Sequence, residues 1–288
     1  MINLLRQVFG ALYQRTKVKS ASTCEGVCAT LPRRSVPTLN RLASFFFPDF
    51  WDISEPEKFA EIVKDFTKQL PHGYHASDNF ITWGRNNSMF DDLAFIKAWE
   101  DNIESLADRG IIWRRYVLAT SAFHCIQLEG DFVECGAYTG VGVKTVVDYL
   151  GGVNFPKQFW AYDVFEHQQG MTNKPMPEVS SELFDRVNRK FADYQQVRVV
   201  KGHIPDSFKN NCPDQIAYLH IDLNEASSEV ATLKYLFDRV VQGGMVILDD
   251  YEWSGIYRPQ KLAEDEWFDS RHYRVMPLPT GQGLIIKR

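Results

Sequence analysis

From residue 131 onward, apolar runs alternate with amphipathic segments along the chain. Five of these runs are rich in β-branched and aromatic residues and predict strands, at 131–135, 158–163, 197–202, 216–222 and 245–250. Between them, apolar residues at spacings of three and four predict helices, such as one at 227–243 that ends at Gly243. Alternation of this kind predicts a doubly wound parallel sheet covered on both faces.

The segments on either side of this alternation predict other structures. At the C-terminus, "YRVMPL" and "LIIK" flank a "PTGQG" turn and predict an antiparallel pair of strands. On the N-terminal side, Ser54 and Glu57 match a capping box that begins a helix, and another helix is predicted at 112–128. We therefore expect an α/β fold with a mostly parallel, doubly wound sheet, an antiparallel C-terminal strand pair and an N-terminal helical extension.

The N-terminal region differs from the rest of the chain in charge. Residues 1–48 contain seven Lys and Arg side chains but one acid, Glu25, although the whole chain of 288 residues has a net charge of −5. Apolar residues recur at helical spacing from Ile2 to Leu12 and predict an amphipathic helix. We expect that helix to dock either on this chain or on a neighbouring subunit of a homo-oligomer. The alternative is a transit peptide or a membrane-surface anchor.

Composition and charge narrow the classes of protein. We expect three parts, a basic helix and linker at 1–54, a helical extension or lid at 55–129, and a ligand-binding domain at 130–288. No apolar run approaches the roughly 20 residues that a membrane span needs. The net negative charge gives no electrostatic reason to expect nucleic-acid binding. Five scattered cysteines do not suggest a disulfide framework, so we expect a reducing, cytoplasmic location.

Acidic residues end three of the predicted strands, at the edge where parallel sheets bind ligands. Asp163 ends the second strand, where an acid can accept two hydrogen bonds from a ribose diol. Asp222 ends the fourth strand, and Asp249 and Asp250 end the fifth. Three crowded carboxylates need a cation, and oxygen ligands favour Mg²⁺ or another hard divalent ion. The alternative is that one aspartate caps a helix and the others are solvated loop acids.

Other polar residues carry weaker signals. Gly136 and Gly140 flank a tight turn after the first strand, but their spacing does not match the dinucleotide-binding motif G-x-G-x-x-G. His203 and His220 are candidate bases, although His220 lies inside a predicted strand, where a hydrogen-bonded core histidine is more common. Arg114, on the predicted helix at 112–128, is expected to solvate that helix rather than to bind anything.

Five segments resemble, in order and spacing, the TylF-like (macrocin) O-methyltransferases. They are "GDFVECGAYTG", "WAYDVFE", "VRVVKGHIPDSF", "LHIDLNEASSE" and "DRVVQGGMVILDDY". The resemblance covers about 110–288 and implies a class I methyltransferase with a Rossmann-like sheet that uses S-adenosylmethionine. It also implies a small-molecule hydroxyl acceptor, such as a sugar.

The resemblance assigns roles to particular residues. Those implied to contact S-adenosylmethionine are Glu134, Gly136, Tyr138 and Gly140 at its methionine part, Asp163 at the ribose, and Phe165, Gly202 and His203 near the adenine. Those implied to hold the metal are Asp222, Asp249 and Asp250, and Asp222 is also the candidate general base. Asn224 stands where the family commonly has a second aspartate. Two alternatives remain: a nicotinamide-dependent dehydrogenase, disfavoured by the glycine spacing and the three acids, and a non-catalytic relative that binds the cofactor without turnover.

Overall fold

A seven-stranded sheet forms the centre of the computed structural model, which describes residues 43–167, 176–209 and 211–288. In chain order, the strands of these residues are β1 (Phe45–Phe46), β2 (His75–Ser77), β3 (Phe80–Thr82), β4 (Asp131–Cys135), β5 (Phe159–Asp163), β6 (Val197–Lys201), β7 (Ile216–Ile221), β8 (Val240–Leu248), β9 (Met276–Pro277) and β10 (Gly283–Ile286). The α-helices are α1 (Pro56–Thr67), α2 (Leu93–Asn102), α3 (Leu106–Gly110), α4 (Ile112–Cys125), α5 (Val141–Tyr149), α6 (Leu183–Lys190), α7 (Ala226–Leu236) and α8 (Arg258–Asp269).

The order of the strands in the large sheet is β6-β5-β4-β7-β8-β10-β9. Strands β4 to β8 are parallel to one another, whereas β10 runs antiparallel to both β8 and β9. From β4 the chain builds outward through β5 and β6, and then returns to place β7 on the other side of β4. This reversal is a topological switch point, where such sheets bind their ligands. The predicted sheet and its antiparallel C-terminal strands are confirmed.

Both faces of the sheet are buried. The adjacent residues Phe132 and Val133 of β4 are fully buried but belong to different hydrophobic clusters, because successive side chains of a strand point to opposite faces. One cluster includes Leu118 of α4 and Val143 of α5, and the other includes Leu233 of α7. The helices therefore hold the strand ends in fixed relative positions.

The predicted helix at 227–243 is wrong in its second half. Helix α7 ends at Leu236, and β8 already begins at Val240, which pairs with Ile216 of β7. The β7–β8 pairing then shifts register, and Gly243 has a positive φ of 82° inside the strand. Pairing with the neighbouring strand thus decides the conformation of a segment whose apolar spacing also suits a helix.

The N-terminal half also departs from the predictions. The capping box is wrong because α1 begins at Pro56, a residue favoured in the first turn of a helix, and its N-cap Glu55 makes no capping hydrogen bond. The carboxylate of Glu55 instead pairs with Lys58 at 2.9 Å. Strands β2 and β3 lie inside the region 55–129, which was predicted to be helical, and they form a small sheet with β1.

The helix predicted near residues 2–12 lies outside the described residues. Among the helices that the structure does describe, none has the length and apolar character needed to cross a lipid bilayer.

Candidate active site

A pocket of about 380 Å³ lies at the carboxyl ends of β4, β5 and β7. Asp222, the residue after β7, lines this pocket. Five residues predicted to bind the cofactor also line it: Gly136, Tyr138, Asp163, Gly202 and His203. The switch point of the sheet therefore brings together residues from four separate segments around a space that suits a small molecule.

The turn after β4 depends on a close approach of two backbone segments. Gly136 has a φ of 97°, and a Cβ atom at this position would lie 1.8 Å from the backbone oxygen of Asp222. Only glycine permits this approach. Two residues later, Tyr138 has a φ of 48°, and its backbone N–H donates a hydrogen bond to Asp163 Oδ2 at 2.8 Å. The turn therefore links the ends of β4, β5 and β7.

Asp163 organises the wall of the pocket at the end of β5. Its Oδ1 atom accepts a 2.6 Å hydrogen bond from the backbone N–H of Phe165, in addition to the bond from Tyr138. Burial raises the pKa of Asp163 to about 6, although the hydrogen bond from Phe165 acts in the opposite direction. A carboxylate has about four acceptor positions, so Asp163 can hold this wall and also accept hydrogen bonds from a ligand.

The other three predicted cofactor residues do not line this pocket. Glu134 is buried within β4, and Phe165 is buried against the ring of Phe184, with 5.4 Å between the ring centroids. Gly140 precedes α5 with a φ of 75°, where a Cβ atom would lie 2.8 Å from the ring of Phe191. These residues therefore lie behind the turn and the pocket wall.

Asp249 and Asp250 share a buried arginine. Arg114 of α4 donates from Nη1 to Asp249 Oδ2 at 2.5 Å and to Asp250 Oδ1 at 3.2 Å. On its other edge, Nε donates to Asp78 Oδ2 at 2.9 Å. The guanidinium also lies over the ring of Trp253, 5.6 Å from its centroid. One cation thus compensates part of the charge of three carboxylates.

His220 carries a second positive charge into the site. Its Nε2 atom lies 3.3 Å from Asp249 Oδ1, and its Nδ1 atom lies 3.1 Å from Glu134 Oε2. Burial lowers the pKa of His220, but the two neighbouring carboxylates outweigh that effect and raise it to about 10. His220 is therefore a charged core residue. Asp249 Oδ1 also accepts a hydrogen bond from Gln282 Nε2 at 2.8 Å.

The pKa values of Asp222, Asp249 and Asp250 are shifted in different directions or by different amounts. Burial opposes the charge of Asp249, but Arg114 and His220 hold its pKa well below the usual range. Burial raises the pKa of Asp250 far above the usual range, although Arg114 opposes the shift. Burial and the charge of Asp249 raise the pKa of Asp222 to about 7. Asp222 is therefore poised to accept a proton near neutral pH.

Candidate metal ligands also lie within this group. Ligand atoms of His220, Asp222 and Asp249 all lie within 4.8 Å of one another. Of the predicted ligands, Asp222 and Asp249 thus come together, while Asp250 lies beside them on Arg114. Asn224, at a positive φ of 57°, donates a 3.2 Å hydrogen bond from Nδ2 to Asp222 Oδ1. Asn224 therefore contributes to the position of Asp222.

Sequence reasoning missed the role of Arg114. Its side chain is only 12% exposed, so it does not solvate α4 as expected. The available signal was the excess of acids at the end of β8, since buried carboxylates need a cation. The partner itself was hidden because Asp78 and Asp249 lie 36 and 135 residues away along the chain.

Comparisons with known proteins identify relatives of the chain. The family model described as macrocin-O-methyltransferase (TylF) matches residues 118–267. The solved structure of the O-methyltransferase NovP is 23% identical, with 61% of this chain and 80% of that chain covered and a TM-score of 0.52. A structure of CalS11, a calicheamicin methyltransferase, is 12% identical, covers 83% of this chain and 95% of its own, and has a TM-score of 0.52. No curated protein matches the chain.

Proposed function

Because this chain belongs to the macrocin-O-methyltransferase (TylF) family and is an S-adenosylmethionine-dependent O-methyltransferase, we propose that it methylates a sugar hydroxyl with the help of Mg²⁺. The observation that carries the proposal is the double position of Asp222, which lines the pocket at the switch point and also belongs to the acidic group of Asp222, Asp249 and Asp250. The family match favours this function over a nicotinamide-dependent dehydrogenase.

The pocket at the switch point would hold S-adenosylmethionine. Asp163 accepts two backbone hydrogen bonds and has acceptor capacity left for the ribose. Gly136 lines the pocket where the methionine part would lie, and Gly202 and His203 line it where the adenine would lie. When bound, the cofactor supplies an activated methyl group, so the protein must align an acceptor oxygen with that methyl carbon and remove the hydroxyl proton.

The acidic group fits a hard divalent cation. Carboxylate oxygens are the ligands that Mg²⁺ prefers, and Asp222 and Asp249 already lie within 4.8 Å of each other. Arg114 and His220 both form ion pairs with Asp249. None of the ion pairs among the described residues includes Asp222. Asp222, Asp249 and Asp250 would hold the ion. Mg²⁺ in this position would orient the acceptor hydroxyl and lower its pKa.

Asp222 is the proposed proton acceptor. It lines the pocket that would hold the methyl donor and belongs to the acidic group that would hold the ion, so an acceptor hydroxyl bound to that ion would lie beside it. His203 is the second candidate base because it lines the same pocket. Asn224 would hold the Asp222 carboxylate in place through its 3.2 Å hydrogen bond.

A second pocket is the proposed site of the acceptor. It has a volume of about 530 Å³, and its lining includes Asp78, Asn79, Trp253, Ser254 and Thr280. An aromatic side chain among hydroxyl, amide and carboxylate groups suits a hydroxylated small molecule such as a sugar. Asp78 and Trp253 both contact Arg114. The pocket therefore adjoins the acidic group.

The proposal is tested by incubating the protein with methyl-labelled S-adenosylmethionine and a panel of glycosides, followed by mass spectrometry. We expect label on a sugar hydroxyl, loss of transfer in excess chelator and recovery with Mg²⁺. Asp249→Asn is expected to reduce turnover at least about tenfold while the affinity for S-adenosylhomocysteine persists. The exposed Asp214 supplies the control variant Asp214→Asn, which should keep wild-type turnover. Undiminished turnover in excess chelator contradicts the metal requirement.

A further inference from the structure

The geometry points to an internal competitor for the metal site: we propose that Arg114 acts as a counter-ion that binds Asp249 and Asp250 in the metal-free protein and thereby sets the affinity for the divalent cation. This inference rests on the metal site of the proposed function. It concerns a residue outside the ligand set and a property, metal affinity, that can be measured without turnover.

The contacts of Arg114 place it in direct competition with an ion. Its Nη1 atom donates hydrogen bonds to both adjacent acids, at 2.5 Å from Asp249 Oδ2 and 3.2 Å from Asp250 Oδ1. A magnesium ion needs carboxylate oxygens at about 2.0–2.1 Å in near-octahedral geometry. An ion on the same carboxylates would therefore lie close to a guanidinium of like charge. Binding of the ion requires Arg114 to give up part of its contact with these acids.

Arg114 has a second set of partners that can retain it. Nε and Nη2 donate to the two carboxylate oxygens of Asp78, at 2.9 Å and 3.4 Å. The guanidinium also lies over the ring of Trp253. Asp78 follows β2 and has a positive φ of 52°, so its position is set by a tight turn rather than by a long flexible loop. Arg114 therefore lies between two anionic sites, and only one of them takes the metal.

This arrangement connects the metal to the acceptor pocket. Asp78 and Trp253 line the second pocket, and each contacts Arg114. When an ion displaces Arg114 from Asp249 and Asp250, the guanidinium charge is shared more fully with Asp78 and Trp253. Metal loading would thus change the charge distribution at the wall of the acceptor pocket. Arg114 would therefore couple metal binding at Asp249 and Asp250 to the charge at the wall of the acceptor pocket.

The experiment measures Mn²⁺ affinity by titration calorimetry and by electron paramagnetic resonance, in the full-length protein without cofactor. Removing the competitor in Arg114→Met should tighten Mn²⁺ binding about tenfold or more, within the usual range for coupled sites. Arg114→Lys keeps the charge and should stay close to wild type. Arg109 also lies over a tryptophan ring, Trp99, at 5.7 Å, so Arg109→Met is the matched control and should not change the affinity.

A second variant covers the case in which Arg114→Met does not fold. Asp78→Asn removes the competing anion, so Arg114 should bind Asp249 and Asp250 more fully and Mn²⁺ affinity should fall about tenfold. Opposite effects of Arg114→Met and Asp78→Asn support the inference, since a general loss of structure would weaken binding in both. Unchanged or weaker binding in Arg114→Met, with normal binding in the wild type, overturns the inference alone. Absence of Mn²⁺ binding in all variants and the wild type overturns the proposed metal site as well.

Discussion

Glu134 and His220 are directly paired neighbours on β4 and β7, and the His220 imidazole bridges from Glu134 to Asp249 at the end of β8. A charged histidine inside the sheet thus ties a buried acid of one strand to the acidic group formed by another. The carboxylate of Glu134, which the resemblance places at the methionine part of the cofactor, lies 3.1 Å from this imidazole. A change at Glu134 would therefore also act on His220.

We predict that His220→Gln destabilises the protein by about 3 kcal/mol, because it leaves two buried carboxylates opposite a neutral amide. Urea unfolding measures the change in free energy. His72 is exposed, so the control variant His72→Gln should change the free energy of unfolding by less than about 0.5 kcal/mol. Equal stabilities of the two variants would show that the imidazolium is not a structural cation.

Asp163→Asn is expected to weaken S-adenosylhomocysteine binding about tenfold to a hundredfold. The variant loses the proposed charged acceptor of the ribose and weakens the hydrogen bonds from Tyr138 and Phe165 that shape the pocket wall. Isothermal titration calorimetry gives the affinity, and Mn²⁺ titration checks that the acidic group still binds metal. The exposed Asp193 provides the control Asp193→Asn, whose affinity should equal that of the wild type. Wild-type affinity in Asp163→Asn would remove Asp163 from the cofactor site.

The stability of the protein should fall as the pH rises above about 5, and Glu264→Gln should reduce this fall. Glu229 of α7 and Glu264 of α8 are both fully buried, and burial raises the pKa of both carboxyl groups. Groups whose pKa is higher in the folded state stabilise the fold at low pH, and this stabilisation is lost as the pH rises through the folded pKa. The limiting loss per group is about 1.4 kcal/mol per pH unit.

Urea unfolding of the wild type and Glu264→Gln between pH 5 and pH 8 measures this difference. Glu266 lies exposed on the same helix, and Glu266→Gln should follow the wild-type curve. Parallel curves for the wild type and Glu264→Gln would mean that Glu264 titrates normally in the folded protein.

Removal of residues 1–40 is expected to leave the affinity for S-adenosylhomocysteine unchanged. Among residues 43–167, 176–209 and 211–288, those that line the pocket at the switch point come from Gly136 onward. The truncated protein should first be shown to be folded by circular dichroism, and calorimetry then gives its affinity. A folded truncated protein with weakened binding would place the N-terminal segment in the active site and would contradict the predicted division at residue 54.

The sequence predicted the parts of the molecule that depend on local pattern. Asp163 and Asp222 could be placed in the pocket because parallel strands end at one edge of a sheet. The C-terminal half of the helix predicted at 227–243 was wrong because Val240 pairs with β7, a contact that apolar spacing does not reveal. The prediction that Arg114 is solvated was wrong for a similar reason. An arginine on a helix is usually solvated, and only the fold brings Asp78 and Asp249 to it.

The contact between Gly136 and Asp222 has a consequence for acceptor choice. The backbone oxygen of Asp222 lies where a side chain of residue 136 would otherwise be, so main-chain atoms fix the distance between the turn after β4 and the end of β7. Exposed side chains change rotamer within nanoseconds, whereas the backbone at the ends of packed strands stays in place. Methyl transfer needs reacting atoms about 3–3.5 Å apart. Substitutions in the proposed acceptor pocket should therefore change which hydroxyl is presented, while the turn that would hold the methyl donor stays in place.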